Sequence, residues 1–261
     1  MVTTIIMPIS RPDYLKRVFA NLEMMECDAS ETALLILVDG DMELYEVARN
    51  FTVKSKFAEK LCVYRRKGNP NVSSVHRRRQ RIADIHAEMQ ELIKSSEYIF
   101  MIEDDTLFSG LTLHNLLKLY SEYPYAGFIS GVQIGRWGYT HIGAWLFDDV
   151  YKPNNITSAP KGKGMLEVDA AGFFCCLTKR EYYMKHHFEP YDTILGPDVN
   201  YGIYLRQMGL LNYIDYGITC THLTKKGEIK FINTPIQQVT FHRPDNIKVW
   251  IQSASQEDEN K

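Results

Sequence analysis

Three consecutive carboxylates, Glu103-Asp104-Asp105, end the apolar run Tyr98-Ile-Phe-Met-Ile102. Like charges at the tip of a buried strand repel one another, so something must offset them. Alternate strand residues point to opposite sides, which lets Glu103 and Asp105 share one site while Asp104 points away. Mg²⁺ and Mn²⁺ prefer hard oxygen ligands and commonly take one or two carboxylates, leaving positions for phosphate oxygens. The cluster therefore reads as a seat for a divalent cation carrying a diphosphate, against the plainer alternative of a solvated strand end. A second charged group, His76-Arg-Arg-Arg-Gln-Arg81, starts a helical stripe. Helical spacing puts Arg78 in line with Ile82, Ile85 and Met89 and turns Arg77 and Arg81 outward. An arginine at that edge can bind a diphosphate through paired hydrogen bonds, although a solvated helix face fits the same charges. Joined with Arg65-Arg66-Lys67, the cluster could also track the phosphates of a nucleic acid.

The elements that must position these groups alternate along the chain. Strand-like runs TTIIMPI, ALLILVDGD, LCVYRR and YIFMIEDD are separated by helical stripes, one formed by Leu15, Val18, Phe19 and Leu22, another by Ile82, Ile85, Met89 and Leu92/Ile93. This order predicts a mostly parallel sheet covered by helices on both faces, with ligands bound beyond the carboxyl ends of the strands. In the segment Ser10-Arg-Pro-Asp13, Ser10 can cap the first helix, Pro12 suits its first turn and Asp13 completes a capping box. Its exposed amides could also receive an anion. Further on, LHNLLKLY reads as a helix and AGFISGVQI as a strand, while the Gly-, Pro- and aromatic-rich stretch from Gly135 to Gly164 reads as a loop or short hairpin. MLEVDAAGFFCCLT then reads as a strand, EYYMKHHF and VNYGIYLRQMG as helices, and SASQEDENK as a disordered tail. Trp137, Tyr139, Trp145 and Tyr151 could stack on an acceptor, though core packing accounts for most aromatics.

Composition narrows the partners. With 30 basic and 32 acidic side chains, the net charge of -2 creates no global field for nucleic acid or an anionic membrane. The longest apolar runs fall far short of the roughly 20 residues that span a bilayer, and MVTTIIMPIS reads as a first strand rather than a leader. An odd count of five cysteines, without paired Cys-x-x-Cys spacing, predicts reduced thiols, a cytoplasmic setting and no zinc site.

Over residues 3 to 222 the chain resembles nucleotide-sugar glycosyltransferases of the GT-A fold, especially the large family typified by polysaccharide synthases. IIMPISRPDYLKRVFANL is similar to that family's opening strand and helix, LLILVDGD to its second strand, and YIFMIEDDT to the strand bearing its D-x-D motif. VDAAGFFCCLTKREYY, GPDVNYGIYLRQMG and YIDYGITCTH resemble its acceptor-side strand, its E-D-x-D-L-x-x-R-L-x-x-x-G segment and its late histidine. Such a chain has a Rossmann-like α/β sheet, mostly parallel, flanked by helices, with a smaller acceptor-side subregion. The implied organisation is a domain over 1–222, divided into a nucleotide-sugar half (1–108) and an acceptor half (109–222), followed by an extension over 223–261.

The resemblance implies that Glu103 meets the ribose, Asp105 and His222 bind Mn²⁺ or Mg²⁺, and Asp39 reads the base, with Asp41 as the alternative. Pro8, Ser10, Arg11, Arg78 and Asp104 complete the implied nucleotide-sugar contacts, with Arg77 and Arg79 not separable from Arg78. Asp198 matches the general base of inverting members, the carboxylate that accepts the acceptor hydroxyl's proton. Glu103 in place of Asp, Pro197 in place of Glu and Asn200 in place of a second acid depart from the family pattern. The expected function is metal-dependent transfer of a hexosyl or pentosyl group, with inversion slightly favoured, from a nucleoside-diphosphate sugar to a glycan, a small molecule or a modified nucleic-acid base. A nucleotidyltransferase would normally carry a glycine-rich loop after the first strand, and MPISRPDY has no glycine. A nucleotide-sugar-binding protein without catalysis is the other alternative.

Overall fold

The computed structural model describes residues 2–66, 75–134, 142–152, 156–188, 195–225 and 227–230. Trp137, Tyr139, Lys67 and the tail lie outside them. The first half runs β1 (Thr3–Ile9), α1 (Leu15–Met24), β2 (Thr32–Gly40), α2 (Met42–Lys54), β3 (Glu59–Arg66), α3 (Val75–Leu92) and β4 (Tyr98–Ile102). A short β5 (Thr106–Leu107), α4 (Thr112–Glu122) and β6 (Ala126–Val132) follow. The second half continues with β7 (Ala144–Phe147), β8 (Ile156–Ser158), β9 (Met165–Val168), β10 (Ala170–Ala171), β11 (Cys175–Lys179), α5 (Arg180–Lys185), α6 (Pro197–Gln207), β12 (Leu211–Thr219), β13 (Thr221–Thr224) and β14 (Gly227–Lys230).

Among the described residues, eight strands form the main sheet in the order β3-β2-β1-β4-β11-β6-β12-β9. Pairs β3/β2, β2/β1, β1/β4 and β6/β12 are parallel, and β11 runs antiparallel between β4 and β6. The central strands read as unbroken apolar runs because helices cover both faces: β1 buries Ile5, Met7 and Ile9 against α1 on one side and Ile6 towards α3 on the other. Burial of the α1 stripe Leu15, Val18, Phe19 and Leu22 follows the predicted period.

Several local expectations are corrected. The first helix starts at Leu15 after Tyr14, without a side-chain cap, so neither Ser10 nor Pro12 belongs to its first turn. The backbone amides of Ser10 and Arg11 are instead taken by the Asp104 carboxylate at 2.7 and 2.9 Å, which holds this stretch at the end of β1. On α3 the buried face holds Ala83, Ile85, His86 and Met89, while Ile82 is 43% exposed. MLEVDAAGFFCCLT divides into β9, β10 and β11, since β10 leaves the main sheet to pair with β7 in a small sheet beside it. Within Gly135–Gly164, β7 and β8 make the antiparallel hairpin. Gly202 on α6 is required by close packing, because a Cβ there would stand 2.4 Å from the Asp169 carbonyl oxygen. The five cysteines are free thiols.

Candidate functional site

A cleft of about 280 Å³ opens at the carboxyl ends of β1, β2 and β4. Pro8, Ser10, Arg11, Asp39, Arg78, Glu103 and Asp104 all line it. Its far wall is less polar, formed by Ile82, Ile85, His86 and Phe173. Exposed Ile82 thus serves the cleft and not the core.

Asp104 does not point away from the site. Besides the two amides, it accepts Arg11 Nε at 2.8 Å and forms an ion pair with Arg11 Nη2. Asp105, fully buried, receives Arg11 Nη1 at 2.5 Å on Oδ2. Burial alone would lower the guanidinium's pKa, but the charges of Asp104 and Asp105 more than reverse this, so Arg11 is firmly protonated. The repulsion within the acidic tip is therefore offset by an arginine of the same chain.

His222 reaches Asp105 from the far end of the sequence. Pairing of β13 with β5 sets His222 opposite Thr106, and the Leu223 amide donates to the Asp105 carbonyl at 2.8 Å. His222 Nδ1 lies 3.0 Å from the Ile134 carbonyl, which can only accept, so Nδ1 carries a proton. Nε2 faces Asp105 Oδ2 at 3.1 Å. In neutral His222 two lone pairs would face each other there, an arrangement that a proton or a metal ion satisfies. Neighbouring ligands of an octahedral ion with bonds of ~2.1 Å are about 3 Å apart, so the spacing of Asp105 and His222 fits an octahedral divalent ion, and the mixed oxygen and imidazole donors suit Mn²⁺ better than Mg²⁺. Among the described residues no group of three or more His, Cys, Asp or Glu is gathered for a metal, and Asp105 and His222, both buried, are not part of the cleft lining but join it through Arg11.

Asp39, also fully buried, pairs with Arg81, whose Nη2 further donates to the Asp39 carbonyl at 2.9 Å. Arg81 therefore turns inward, contrary to the outward position expected from the helical count. Asp39 Oδ1 has no hydrogen-bond partner among the described residues. Asp41 is the N-cap of α2, accepting the Leu44 amide at 2.8 Å. Of the three adjacent arginines Arg78 lines the cleft, and the charge of Arg79 acts on Asp198. Arg65 is engaged by Glu88 at 3.1 Å and Asp84 at 3.5 Å on the outer face of α3.

Asp198 lies in the first turn of α6, after Gly196 as N-cap and Pro197. It is not part of the cleft lining, but its Oδ2 is 3.7 Å from where a Gly172 Cβ would stand, beside the lining residue Phe173. Desolvation raises its pKa, partly countered by backbone amides and Arg79.

Sequence reading missed Arg81, His86 and Phe173. The signal for Arg81 was present, since residues three apart on a helix share a face and Arg78 was already assigned inward. His86 carried none: it is buried, Nδ1 sits 2.9 Å from the Tyr183 hydroxyl, and desolvation holds its pKa down at about 3.

No protein-family model and no curated protein matches the chain. Solved structures do match its fold. The mannosyltransferase PcManGT from Pyrobaculum calidifontis in complex with GDP-Man and Mn²⁺ is 12% identical, with a TM-score of 0.55 over 82% of this chain and 54% of that one. S. aureus TarS 1-349 in complex with UDP-GlcNAc is 11% identical, TM-score 0.54, over 83% and 56%. GalNAc-T7 with UDP, GalNAc and Mn²⁺ is 12% identical, TM-score 0.58, over 85% and 44%. The chain spans about half the length of these proteins. At such identities the likeness establishes architecture, and the architecture is the GT-A fold that the sequence motifs resemble.

Proposed function

We propose that the protein transfers a sugar from a nucleoside-diphosphate sugar to an acceptor. The observation that carries this reading is the cleft at the ends of β1, β2 and β4, where acids and arginines converge beside the Asp105–His222 pair. In this reading Asp39, which lines the cleft, faces the base, with Arg81 fixing its carboxylate. Glu103 accepts from a ribose hydroxyl, and Arg11 and Arg78 bind the diphosphate. Asp105 and His222 would hold a divalent ion, which when bound would supply Lewis-acid neutralisation of the leaving diphosphate. GDP-Man, UDP-GlcNAc and UDP in the similar structures support a nucleoside-diphosphate donor.

Transfer breaks the bond between the anomeric carbon and the diphosphate and forms one to an acceptor hydroxyl, whose proton must leave. Asp198 accepts that proton in an inverting reaction, and its desolvation makes it a stronger base than an exposed carboxylate. Its place behind Gly172 also favours a second reading, donor binding without turnover. Incubation with a panel of nucleotide sugars, Mn²⁺ and candidate acceptors separates the two. Release of nucleoside diphosphate supports transfer, and donor-induced stabilisation without release supports the binding protein. Among the described residues no helix is long and apolar enough to cross a membrane.

Asp105→Ala removes the carboxylate shared by the cation and His222. Calorimetric titration with UDP or GDP and Mn²⁺ is expected to show metal-dependent affinity falling by about 100-fold, on the scale of losing one buried charged ligand. Unchanged affinity would remove the metal assignment.

A further inference from the structure

Arg11 and the cation require the same atom. Arg11 Nη1 lies 2.5 Å from Asp105 Oδ2, the oxygen that faces His222 Nε2 at 3.1 Å. A divalent ion bound between that oxygen and that nitrogen would share the oxygen with the guanidinium, and two cations on one carboxylate oxygen repel. The two therefore compete for Asp105, and the one with the better alternative partner gives way.

Asp104 decides which. Its Oδ2 is held by the main-chain amides of Ser10 and Arg11, so the backbone stays anchored when the Arg11 side chain moves. That side chain is 29% exposed and opens onto the cleft that Glu103, Arg78 and Arg81 also line. With the cleft empty, a displaced guanidinium exchanges two carboxylates for water. When a diphosphate is present, it gains an anion matched to its paired donors, so displacement costs far less.

We infer that Arg11 is an exchangeable counter-ion: it neutralises Asp104 and Asp105 in the empty site, excludes the divalent cation, and yields Asp105 when a diphosphate takes up its guanidinium. This rests on the donor-site reading above. Arg11 thereby adds to the coupling that direct attraction between ion and diphosphate already supplies, and by linkage each ligand strengthens the other by the same factor.

The test is a titration of Mn²⁺, followed by electron paramagnetic resonance of the free ion, into the full chain and its Arg11→Gln and Arg11→Lys variants, alone and with UDP or GDP. Without nucleotide, Arg11→Gln is expected to bind Mn²⁺ about tenfold more tightly than the wild type, the scale of one charge-assisted contact removed from competition. Arg11→Lys should tighten it less, since a cation remains. In the wild type the diphosphate should strengthen Mn²⁺ binding about tenfold, and Arg11→Gln should show a smaller factor, that of the direct attraction between ion and diphosphate alone. Equal or weaker binding of Mn²⁺ alone to Arg11→Gln overturns the counter-ion role even if the wild type binds Mn²⁺ and diphosphate together. If the wild type binds no diphosphate with Mn²⁺, the donor-site reading itself fails and this inference with it. Should Arg11→Gln melt early, the lysine variant carries the comparison, and no change in its Mn²⁺ affinity counts against the proposal.

Discussion

Arg11 and Arg206 each reach two acids, yet the Arg11 side chain is 29% exposed and that of Arg206 only 8%. Arg206 on α6 donates from Nη1 to Glu167 at 2.7 Å and lies 3.4 Å from Asp169 through Nε. Asp169 in turn accepts the Phe147 amide at 2.7 Å, and its carbonyl accepts Asn212 at 2.9 Å, so α6, β9, β7 and β12 meet at this one cluster. At the carboxyl ends of β1, β2 and β4, by contrast, the arginines facing Asp39, Asp104 and Asp105 border an open cleft. Similar pairs therefore serve different ends: cations at the cleft have water or a ligand as alternative partners, whereas Arg206 has none and fixes the frame that carries Asp198.

Removing each cation is the direct way to break this contrast. Arg206→Ala should lose the most stability, about 3–5 kcal/mol, because it strands buried carboxylates. Urea unfolding checks this, and a loss below that of the cleft variants would reverse the comparison. Arg81→Ala should cost less, about 1–3 kcal/mol in the same assay, since water in the cleft can solvate Asp39, and it should weaken UDP or GDP binding about tenfold.

Asp198→Asn is expected to act in the opposite direction and most weakly. A carboxyl whose pKa is raised on folding destabilises the native state once pH exceeds its unfolded value of about 3.9, and the penalty is fully developed above the folded value. The substitution should therefore raise Tm at pH 7, with the gap closing as pH falls towards 4. Donor affinity should persist while transfer falls. Differential scanning calorimetry across pH, paired with donor titration, sharpens the distinction between a residue held in place and a residue that holds the fold.

The α1 stripe and the apolar runs of β1, β2 and β4 were legible because burial periodicity is local and both faces of a parallel sheet are covered. Asp39 at a strand end was equally readable at short range, whereas Asp41, the alternative base reader, caps α2. Errors arose where partners are distant in sequence. Ser10 reads as a helix cap only until Asp104, 94 residues away, claims its amide. Arg81 reads as solvent-facing until Asp39, 42 residues away, turns it inward.

The sequence by itself determined the βα order and the acids at the carboxyl tip of β4, since alternation of apolar and helical periods requires no partner. Only the tertiary structure decided that Arg11 would compensate those acids and that His222, 117 residues from Asp105, would stand 3.1 Å from its carboxylate. The reason is that charge compensation depends on distance in space. Pairing of β13 with β5 sets that distance, and no local pattern in either segment encodes it.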